Sequence, residues 1–281
     1  MAEQVTAPEI RARKRSRGAP PIVMITAYDA PLARIVDAAG VDIILVGDSV
    51  AEVVLGQEDT LHVGIGDIAH HVRAVAKAKP RALLVGDMPW LTYHLDASDT
   101  VQNAATLIRA GAHAVKLEGG QRRVPAVKAI VDAEIPVMGH LGLTPQSLHV
   151  MGGYKVQARE AAAASELRRD AEALAEAGCF AVVLEGVPDA VAARVTAEID
   201  IPTIGIGAGP DCDGQVLVVH DLLGLSGEAT PRFVRRYAEL GSAATEAVKH
   251  WAADVRTGRF PSEEESYHAS AELREALGPA S

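Results

Sequence analysis

One pattern constrains the fold of this 281-residue chain more than any other: short apolar runs that end in an acidic residue. The clearest is residues 41–49, with the sequence VDIILVGDS. A run this short and apolar predicts a strand covered on both faces, as in parallel sheets. Asp48 then follows the carboxyl end of the strand, where barrels and other α/β proteins place their chemistry. For one strand alone, the simpler interpretation is that Asp48 starts a turn or caps a helix.

The same ending recurs in a chain that alternates strand-like and helix-like segments. Apolar runs predict eight strands, at residues 22–29, 41–48, 81–87, 114–118, 135–140, 180–185, 201–206 and 215–220. Segments between them predict helices, including residues 66–79, 98–111 with Ser98 or Asp99 as its cap, 160–178 and 190–198. This alternation predicts an α/β fold, the (β/α)8 TIM barrel. An open doubly wound sheet is the alternative, but no Gly-x-Gly-x-x-Gly sequence follows the first strand.

No linker rich in Pro, Ser and Gly divides the chain, so we expect a single domain. Residues 1–20 are predicted as a basic N-terminal arm or helix that packs on the barrel floor or a neighbouring subunit. Residues 21–255 are predicted as the barrel catalytic domain, and residues 256–281 as a C-terminal tail. Inside the barrel domain, residues 231–254 predict a terminal amphipathic helix. Residues 141–158 predict a long glycine-rich loop, and loops of that length are usually functional.

The composition argues against several classes of function. A formal net charge of -10 argues against a nucleic-acid surface, whose affinity comes from a basic face. The two cysteines, Cys179 and Cys212, have neither a close partner nor metal-site spacing, which fits a reducing cytosol. No signal peptide and no apolar stretch of about 20 residues is present. We therefore expect a cytoplasmic protein with no membrane or nucleic-acid partner.

Six polar side chains stand at the carboxyl ends of the predicted strands. They are Asp48, Asp87, Lys116, Glu118, His140 and Glu185. In a closed barrel these strand ends share one mouth, so we expect the six side chains to converge. Lys116 and Glu118 are two residues apart, which places both on the same face of their strand.

The carboxylates of this group indicate a metal site. Three carboxylates in a partly dehydrated pocket cannot all stay ionised without a compensating positive charge. Oxygen ligands beside one lysine favour Mg²⁺ with positions left for substrate or water, although Mn²⁺, Co²⁺ and Zn²⁺ can also sit among oxygen ligands. The alternative is that the acids form structural salt bridges with Lys116 and scattered arginines. Because four strands end in acids, the functional interpretation is favoured.

Two further features carry weaker signals. A lone histidine such as His140 is more often structural than catalytic. Residues 205–209, with the sequence GIGAG, stand where barrels often bind phosphate, but no adjacent Lys or Ser supports that interpretation. A tight backbone turn is the favoured interpretation of this segment.

Six segments resemble the signature sequences of the ketopantoate hydroxymethyltransferase family and occur in that family's order. They are TAYD at residues 26–29, LVGDS at 45–49, VKLEGG at 115–120, GHLGLTPQS at 139–147, GGYKVQ at 152–157 and GIGAG at 205–209. The resemblance spans residues 22–268, nearly the whole chain. It implies a barrel of the phosphoenolpyruvate mutase and isocitrate lyase type, assembled as a large homo-oligomer, commonly a decamer.

The activity implied by this resemblance is transfer of a hydroxymethyl group from 5,10-methylenetetrahydrofolate to 3-methyl-2-oxobutanoate (α-ketoisovalerate). The product would be 2-dehydropantoate (ketopantoate), for pantothenate and coenzyme A synthesis. Matched motif by motif, Asp48 and Asp87 correspond to the metal-binding aspartates, and Glu118 corresponds to a carboxylate that reaches the metal directly or through water. Ser49 and Lys116 correspond to residues that hold the keto acid's carboxylate, so that the implied substrate site comprises Asp48, Ser49, Asp87 and Lys116.

The same matching assigns Glu185 as the proton acceptor and His140 as a supporting active-site histidine. The chain departs from the family at three places. Residues 88–90 read MPW where Leu-Pro-Phe is usual, Gly186 stands where Cys or Met is common, and residues 56–60 are unusually acidic. These positions touch pocket lining or loop behaviour, so they bear on substrate fit and rate more than on reaction type.

Two rival functions stay open on the sequence. A Mg²⁺-dependent carbon–carbon lyase or phosphonomutase on the same barrel would usually carry a cysteine in a mobile loop, and neither Cys179 nor Cys212 sits in such a motif. A non-catalytic, ligand-binding oligomer would keep the barrel without the chemistry, yet every implied catalytic position holds a competent residue.

Overall fold

The computed structural model describes residues 3–14, 18–227 and 231–278. At its centre is a closed barrel of eight parallel strands in sequence order. They are β1 (Ile22–Thr26), β2 (Ile43–Val46), β3 (Leu83–Asp87), β4 (Ala114–Glu118), β5 (Val137–Gly142), β6 (Ala181–Glu185), β7 (Thr203–Ile206) and β8 (Gly214–Leu217). Each strand pairs with the next, and β8 closes on β1 with Gly214 opposite Ile22. The predicted (β/α)8 barrel is confirmed.

Helices alternate with the strands around the outside of the barrel. Along the described residues they are α1 (Ala7–Ala12), α2 (Ala30–Ala38), α3 (Val50–Val53), α4 (Ile65–Ala76), α5 (Ala97–Ala110), α6 (Val124–Asp132), α7 (Leu148–Met151), α8 (Ala161–Glu176), α9 (Asp189–Glu198), α10 (Val219–Leu222), α11 (Leu240–Arg256) and α12 (Ala271–Leu277). Single 3-10 turns occur at Thr60–His62, Gln121–Arg123 and Pro145–Ser147. In this part of the chain no helix has the length and apolar content to cross a membrane.

The strands divide their side chains between two cores because successive residues point to opposite faces. Ile44 and Leu84 point outward and pack with the helices, whereas Ile43 and Leu83 fill the barrel interior. Ala114 also belongs to the interior core. With a period of two, residues 116 and 118 of β4 therefore point into the barrel as well, at its carboxyl end. The strand pattern thus delivers polar groups to the mouth.

The floor of the barrel is closed by α1, which begins with a capping box formed by Thr6 and Glu9. Ile10 is fully buried against the interior core. After the helix, the ammonium of Lys14 is buried and donates to Asp213 Oδ2 at 2.8 Å. Helix α1 thus packs on the barrel floor, within the segment predicted as a basic arm or helix. Residues 15–17 of the basic run lie outside the described residues.

Several boundaries differ from the predictions. Strand β1 ends at Thr26 instead of residue 29, because Asp29 caps α2. Four further differences have a visible structural cause. Asp96, rather than Ser98 or Asp99, caps α5, since its Oδ1 accepts from Asp99 N at 2.8 Å. Strand β8 ends at Leu217 instead of residue 220, because Val219 N donates to Thr26 Oγ1 and starts a helical turn. The predicted loop at residues 141–158 contains a 3-10 turn and α7.

The fourth difference concerns the terminal helix, predicted from residue 231, which begins only at Leu240. The backbone of the preceding segment hydrogen-bonds to the region of α10 instead of forming its own helical hydrogen bonds. Tyr237 N donates to Leu222 O, and Leu240 N donates to Leu223 O. Hydrogen bonds to α10 therefore replace the helical ladder over residues 231–239. The helix itself carries exposed apolar side chains, among them Val248 and Trp251.

Candidate active site

The six polar residues predicted at the strand ends converge at the barrel mouth. All six, together with Ser49, line one cavity of about 1220 Å³. Asp48, Asp87, Lys116, Glu118 and His140 are buried, and the side chain of Glu185 is 17% exposed. The floor of this cavity is therefore a dehydrated polar cluster that opens toward a larger space.

Two aspartates and one lysine form one half of the cluster. Asp87 is the last residue of β3, and register places it beside Lys116 on β4. The Lys116 ammonium lies 2.7 Å and 2.6 Å from the two carboxylate oxygens of Asp87. Asp48 follows β2, and its backbone N–H donates to Asp87 Oδ2 at 3.3 Å. The aspartates of neighbouring strands are thus adjacent, and one of them is paired with a cation.

A histidine joins two glutamates in the other half of the cluster. Register sets Glu118 of β4 opposite His140 of β5. The Nδ1 atom of His140 lies 3.0 Å from Glu118 Oε1, and Nε2 lies 3.2 Å from Glu185 Oε2. The Nε2–Oε2 contact is close enough for an ion pair, but it is not aligned as a hydrogen bond. Nε2 is therefore a buried nitrogen without an aligned acceptor. One histidine ring therefore bridges the cluster to Glu185.

The pKa values of the cations show how strongly the acids act on them. Burial opposes the charge of Lys116, but Asp87 and Glu118 outweigh it and raise the pKa of the ammonium. Burial and the nearby ammonium lower the pKa of His140, but Glu118 and Glu185 outweigh them and raise it to about 9. Both groups are therefore positively charged near neutral pH.

The pKa values of the acids show an excess of negative charge. Burial raises the pKa of Asp48 well above its usual value, and Asp87 and Glu118 raise it further. Burial also raises the pKa of Glu118, but His140 outweighs it and leaves the value lowered. Four carboxyl groups face one ammonium and one imidazolium in the cluster. A further positive charge near Asp48 would relieve this imbalance.

The donor set at this point fits a divalent cation with open positions. Among the described residues, no three Asp, Glu, His or Cys side chains form a ready-made ligand cage. Mg²⁺ does not require one, because it is usually held by one or two carboxylates while water and substrate oxygens complete its shell. Asp48 and Asp87 supply two such carboxylates, and Glu118 is close enough to act electrostatically on both.

Ser49 adds a hydroxyl at the edge of the cluster. Its Oγ lies 2.7 Å from the phenol oxygen of Tyr28, which is buried beneath it. Around the polar cluster, the cavity wall is apolar, with Leu143, Val183 and Ile206 among the lining side chains. The cavity therefore offers cations and hydroxyls on one side and a surface for a branched alkyl group on the other.

The rim of the cavity is built from loops beyond the strand ends. Tyr154, in the loop after α7, donates its hydroxyl to Glu52 Oε1 at 3.3 Å. Opposite, Phe233 lies so close to Gly207 that a Cβ there would come within 2.7 Å of its ring. Gly207 has a φ of +60° and the chain bends at residues 207–208, directly after β7, so only the second half of the segment predicted as a tight turn at residues 205–209 lies outside the strand.

Sequence reasoning missed two buried residues that tie the cluster together. Gln146 Nε2 donates to Asp48 Oδ2 at 2.9 Å, and its Oε1 accepts from the Tyr93 hydroxyl at 2.6 Å. Gln146 lies inside one of the signature segments, but a neutral amide in a loop gives no charge or periodicity signal. Tyr93 lies outside those segments.

A second, smaller cavity of about 500 Å³ adjoins the first and shares Glu118 with it. Tyr93, His94 and Arg123 line it, and the Arg123 guanidinium lies 5.7 Å from the centre of the Tyr93 ring. Burial and then Arg123 lower the pKa of His94 to about 4, so the ring is neutral near pH 7.

Solved structures similar to this one share its fold. Phosphonopyruvate hydrolase in complex with oxalate and Mg²⁺ matches with a TM-score of 0.59 at 16% identity, over 92% of this chain and 93% of that chain. A 2,3-dimethylmalate lyase of the PEP mutase/isocitrate lyase superfamily matches with a TM-score of 0.59 at 20% identity, over 93% and 92%. At these identities the likeness shows the barrel type alone.

Sequence relatives are far closer. A 3-methyl-2-oxobutanoate hydroxymethyltransferase of Methylobacterium sp. (strain 4-46) is 57% identical over 91% of this chain and 89% of its own length. The protein named 3-methyl-2-oxobutanoate hydroxymethyltransferase 2 of Bradyrhizobium diazoefficiens is 54% identical over 98% and 93%. A family profile described as ketopantoate hydroxymethyltransferase matches residues 4–263. With this match and these relatives, the chain belongs to the ketopantoate hydroxymethyltransferase family.

Proposed function

We propose that this protein transfers a hydroxymethyl group from 5,10-methylenetetrahydrofolate to 3-methyl-2-oxobutanoate, giving 2-dehydropantoate for pantothenate synthesis. The observation that carries the proposal is the position of Glu185, in a chain whose close relatives bear that enzyme's name. Its carboxylate faces the same cavity as the aspartate pair, yet it contacts the imidazolium of His140 instead of the aspartates. A carboxylate in that place can act as a base while the opposite side of the cavity binds the substrate.

In this proposal Asp48 and Asp87 hold a divalent cation, Mg²⁺ in the first instance, with Glu118 reaching it directly or through water. The two aspartates offer oxygen ligands, and the excess of carboxylates supplies the field that attracts a cation. The phosphonopyruvate hydrolase of the same fold was solved with Mg²⁺ and oxalate. When bound, the cation supplies positive charge that stabilises the enolate oxygen.

Lys116 and Ser49 bind the carboxylate of the keto acid. The ammonium is fixed by Asp87 and is charged near neutral pH. Because Lys116 lies at the base of the cavity, a keto acid bound to it would direct its branched alkyl end toward the apolar wall that includes Val183 and Ile206. This orientation brings C3 of the keto acid to the Glu185 side of the mouth.

Glu185 removes the proton from C3, and His140 supports it. The imidazolium between Glu118 and Glu185 balances the carboxylates while the base is ionised. When Glu185 takes the C3 proton, the C–H electron pair passes into the enolate. The enolate carbon then bonds to the methylene carbon of methylenetetrahydrofolate, the two carbon–nitrogen bonds of that carbon break, and water supplies the hydroxyl oxygen. Tetrahydrofolate leaves with the former C3 proton and one proton of the water on its two nitrogens.

The cavity has room for two reactants. Pockets that bury drug-sized ligands measure about 300–1,000 Å³, and this cavity measures about 1220 Å³. A small keto acid at its polar base leaves the outer part of the cavity for the much larger folate. Tyr154, Val156 and Phe233 line that outer part.

The protein is also proposed to act as a homo-oligomer, a decamer as the family resemblance implies. Helix α11 exposes Leu240, Val248, Trp251 and Val255 on a helix in which none of the residues is buried. An exposed apolar stripe of this kind is typical of an interface, and a second copy of the chain would cover it.

The direct test incubates the protein with 3-methyl-2-oxobutanoate, methylenetetrahydrofolate and Mg²⁺ and measures 2-dehydropantoate by mass spectrometry. We expect product with Mg²⁺ and none with excess EDTA. Cleavage of 2,3-dimethylmalate or conversion of phosphonopyruvate in parallel reactions, without 2-dehydropantoate, would instead support the lyase or phosphonomutase. Binding of Mg²⁺ with no turnover of any of these compounds would support the non-catalytic oligomer.

A further inference from the structure

Gln146 occupies an unusual position for a loop residue. It lies in the 3-10 turn after β5, and it is only 5% exposed. Its side-chain nitrogen donates to Asp48 Oδ2 at 2.9 Å and to Met88 O at 3.0 Å. Its backbone N–H donates to Glu118 Oε2 at 3.0 Å. One residue therefore holds two of the proposed cation-site acids, which arrive on different strands.

The orientation of the Gln146 amide is fixed by its partners. Met88 O is a carbonyl and can only accept, so the amide nitrogen must face it. The Tyr93 oxygen accepts from Glu118 N at 3.2 Å, which leaves its hydrogen for Gln146 Oε1 at 2.6 Å. Both amide hydrogens and the amide oxygen are thus used. The amide cannot reverse toward Asp48 without breaking these contacts.

Gln146 engages one oxygen of each acid and leaves the other oxygen to a different contact. Oδ2 of Asp48 accepts from Gln146, while Oδ1 is left for other partners. Oε2 of Glu118 accepts from the Gln146 backbone, while Oε1 contacts His140. A lysine or arginine at position 146 would bring a charge that competes with a cation, whereas an amide orients Asp48 without adding charge.

We propose that Gln146, held from behind by Tyr93, is a positioning residue that fixes Asp48 and Glu118 relative to each other for cation and keto acid binding. This inference rests on the proposed function. Partners that orient the ligands of a metal are a general feature of metal sites, and their loss typically lowers metal affinity or activity about 10-fold to 100-fold.

The test measures Mn²⁺ binding by electron paramagnetic resonance in the wild type and in Gln146→Met, whose side chain is of similar length but has no hydrogen-bond donor and only a weakly accepting sulfur. We expect Gln146→Met to weaken Mn²⁺ binding by about 10-fold to 100-fold. We also expect a raised KM for the keto acid, with activity partly restored by excess Mn²⁺. Simple loss of packing would lower the melting temperature without shifting the Mn²⁺ titration of the folded fraction.

A second variant keeps the proposal testable where Gln146→Met folds poorly. Tyr93→Phe removes the bond to Gln146 Oε1 but leaves the amide beside Asp48, so it should weaken Mn²⁺ binding in the same direction by a smaller factor. Ser147→Ala is the control, since Ser147 is the next residue and its hydroxyl does not cap α7. It should bind Mn²⁺ as the wild type does.

The outcomes separate this inference from the proposed function. Wild-type Mn²⁺ binding and product formation, with unchanged Mn²⁺ affinity in both Gln146→Met and Tyr93→Phe, would overturn the positioning role and leave the proposed function standing. Absence of Mn²⁺ binding by the wild type would overturn the cation site and the positioning role together. Weakened binding in Gln146→Met and Tyr93→Phe, with an unchanged Ser147→Ala, would support the inference.

Discussion

The two ends of the barrel bury charge in opposite ways. At the floor, the Lys14 ammonium pairs with Asp213 at 2.8 Å and also donates to the carbonyl oxygens of Thr196 and Ile201. The carboxylate of Asp213 in turn accepts from Thr203 N at 2.9 Å. At the mouth, the carboxyl groups outnumber the cations, and burial raises the pKa of Asp48. At the floor, each buried charge has an opposite charge and hydrogen-bond partners, whereas at the mouth the negative groups exceed the positive ones.

This difference separates stability from function within one barrel. A buried ion pair is tolerated when each charge is paired and hydrogen-bonded, and breaking it is costly. An unbalanced buried cluster lowers the stability of the free protein, and such clusters persist where a ligand or a reaction uses them. Barrel enzymes follow the same division, with chemistry at the carboxyl ends of the strands and stability at the opposite face.

The largest effect is expected at the mouth, from Glu185→Gln. Loss of the base should lower the rate of 2-dehydropantoate formation by about 100-fold to 10,000-fold, while keto acid binding and the melting temperature stay near the wild-type values. Enzyme assays and calorimetric titration with the keto acid check this. Glu160→Gln, at an exposed position before α8, should keep full activity. A Glu185→Gln variant with wild-type rate would remove Glu185 from the mechanism.

The next effect belongs to the floor. Asp213→Asn would leave the Lys14 ammonium buried without its counter-ion, so the free energy of unfolding should fall by about 3–5 kcal/mol. Chemical denaturation measures this change. Asp254→Asn, which removes an exposed partner of Arg259, should cost about 0–1 kcal/mol. Equal losses in the two variants would contradict the view that the floor pair is a structural element.

The same chemical change at the mouth should have the opposite sign. In EDTA, Asp48→Asn should raise the free energy of unfolding by about 1 kcal/mol, because it removes one buried charge from a cluster rich in carboxylates while keeping an acceptor for Gln146. Its activity should be lost. Asp132→Asn, on the exposed surface at the end of α6, controls for the change in net charge. A clear destabilisation by Asp48→Asn in EDTA would show that the mouth is as balanced as the floor.

The smallest effect concerns pH and His94. Because burial and Arg123 lower its pKa from 6.5 to about 4, the unfolded chain binds a proton in this window that the folded protein does not. Stability should therefore fall as the pH drops from about 6.5 to about 4. In His94→Asn the fall should be shallower, as melting temperatures across this range would show. His268→Asn, in the exposed C-terminal segment, should follow the wild type, and parallel curves for all three proteins would contradict the assignment.

Much of the fold and part of the site could be predicted from the sequence, for a physical reason. Strand β4 was predicted at the residues where it occurs, because a buried strand with polar residues at alternate positions leaves a clear pattern. That pattern also brought Lys116 and Glu118 to the mouth.

What the sequence did not predict depends on local backbone geometry or on contacts between distant segments. The cap of α5 could be any of three nearby polar residues, and only backbone geometry selects Asp96. The start of α11 depends on hydrogen bonds to α10, which local helical pattern does not contain. Gln146 and Tyr93 are neutral, and their importance appears only when four strand ends meet around them.

The most direct test of the account measures exchange of the C3 proton of 3-methyl-2-oxobutanoate in D₂O by NMR, without folate. The unbalanced mouth should bind Mg²⁺ and the keto acid and let Glu185 remove that proton, so exchange should be rapid with Mg²⁺ and close to the uncatalysed rate with EDTA. Exchange that is equally fast in EDTA would contradict the cation site. No exchange under either condition would contradict the assignment of the mouth as a site of enolate formation.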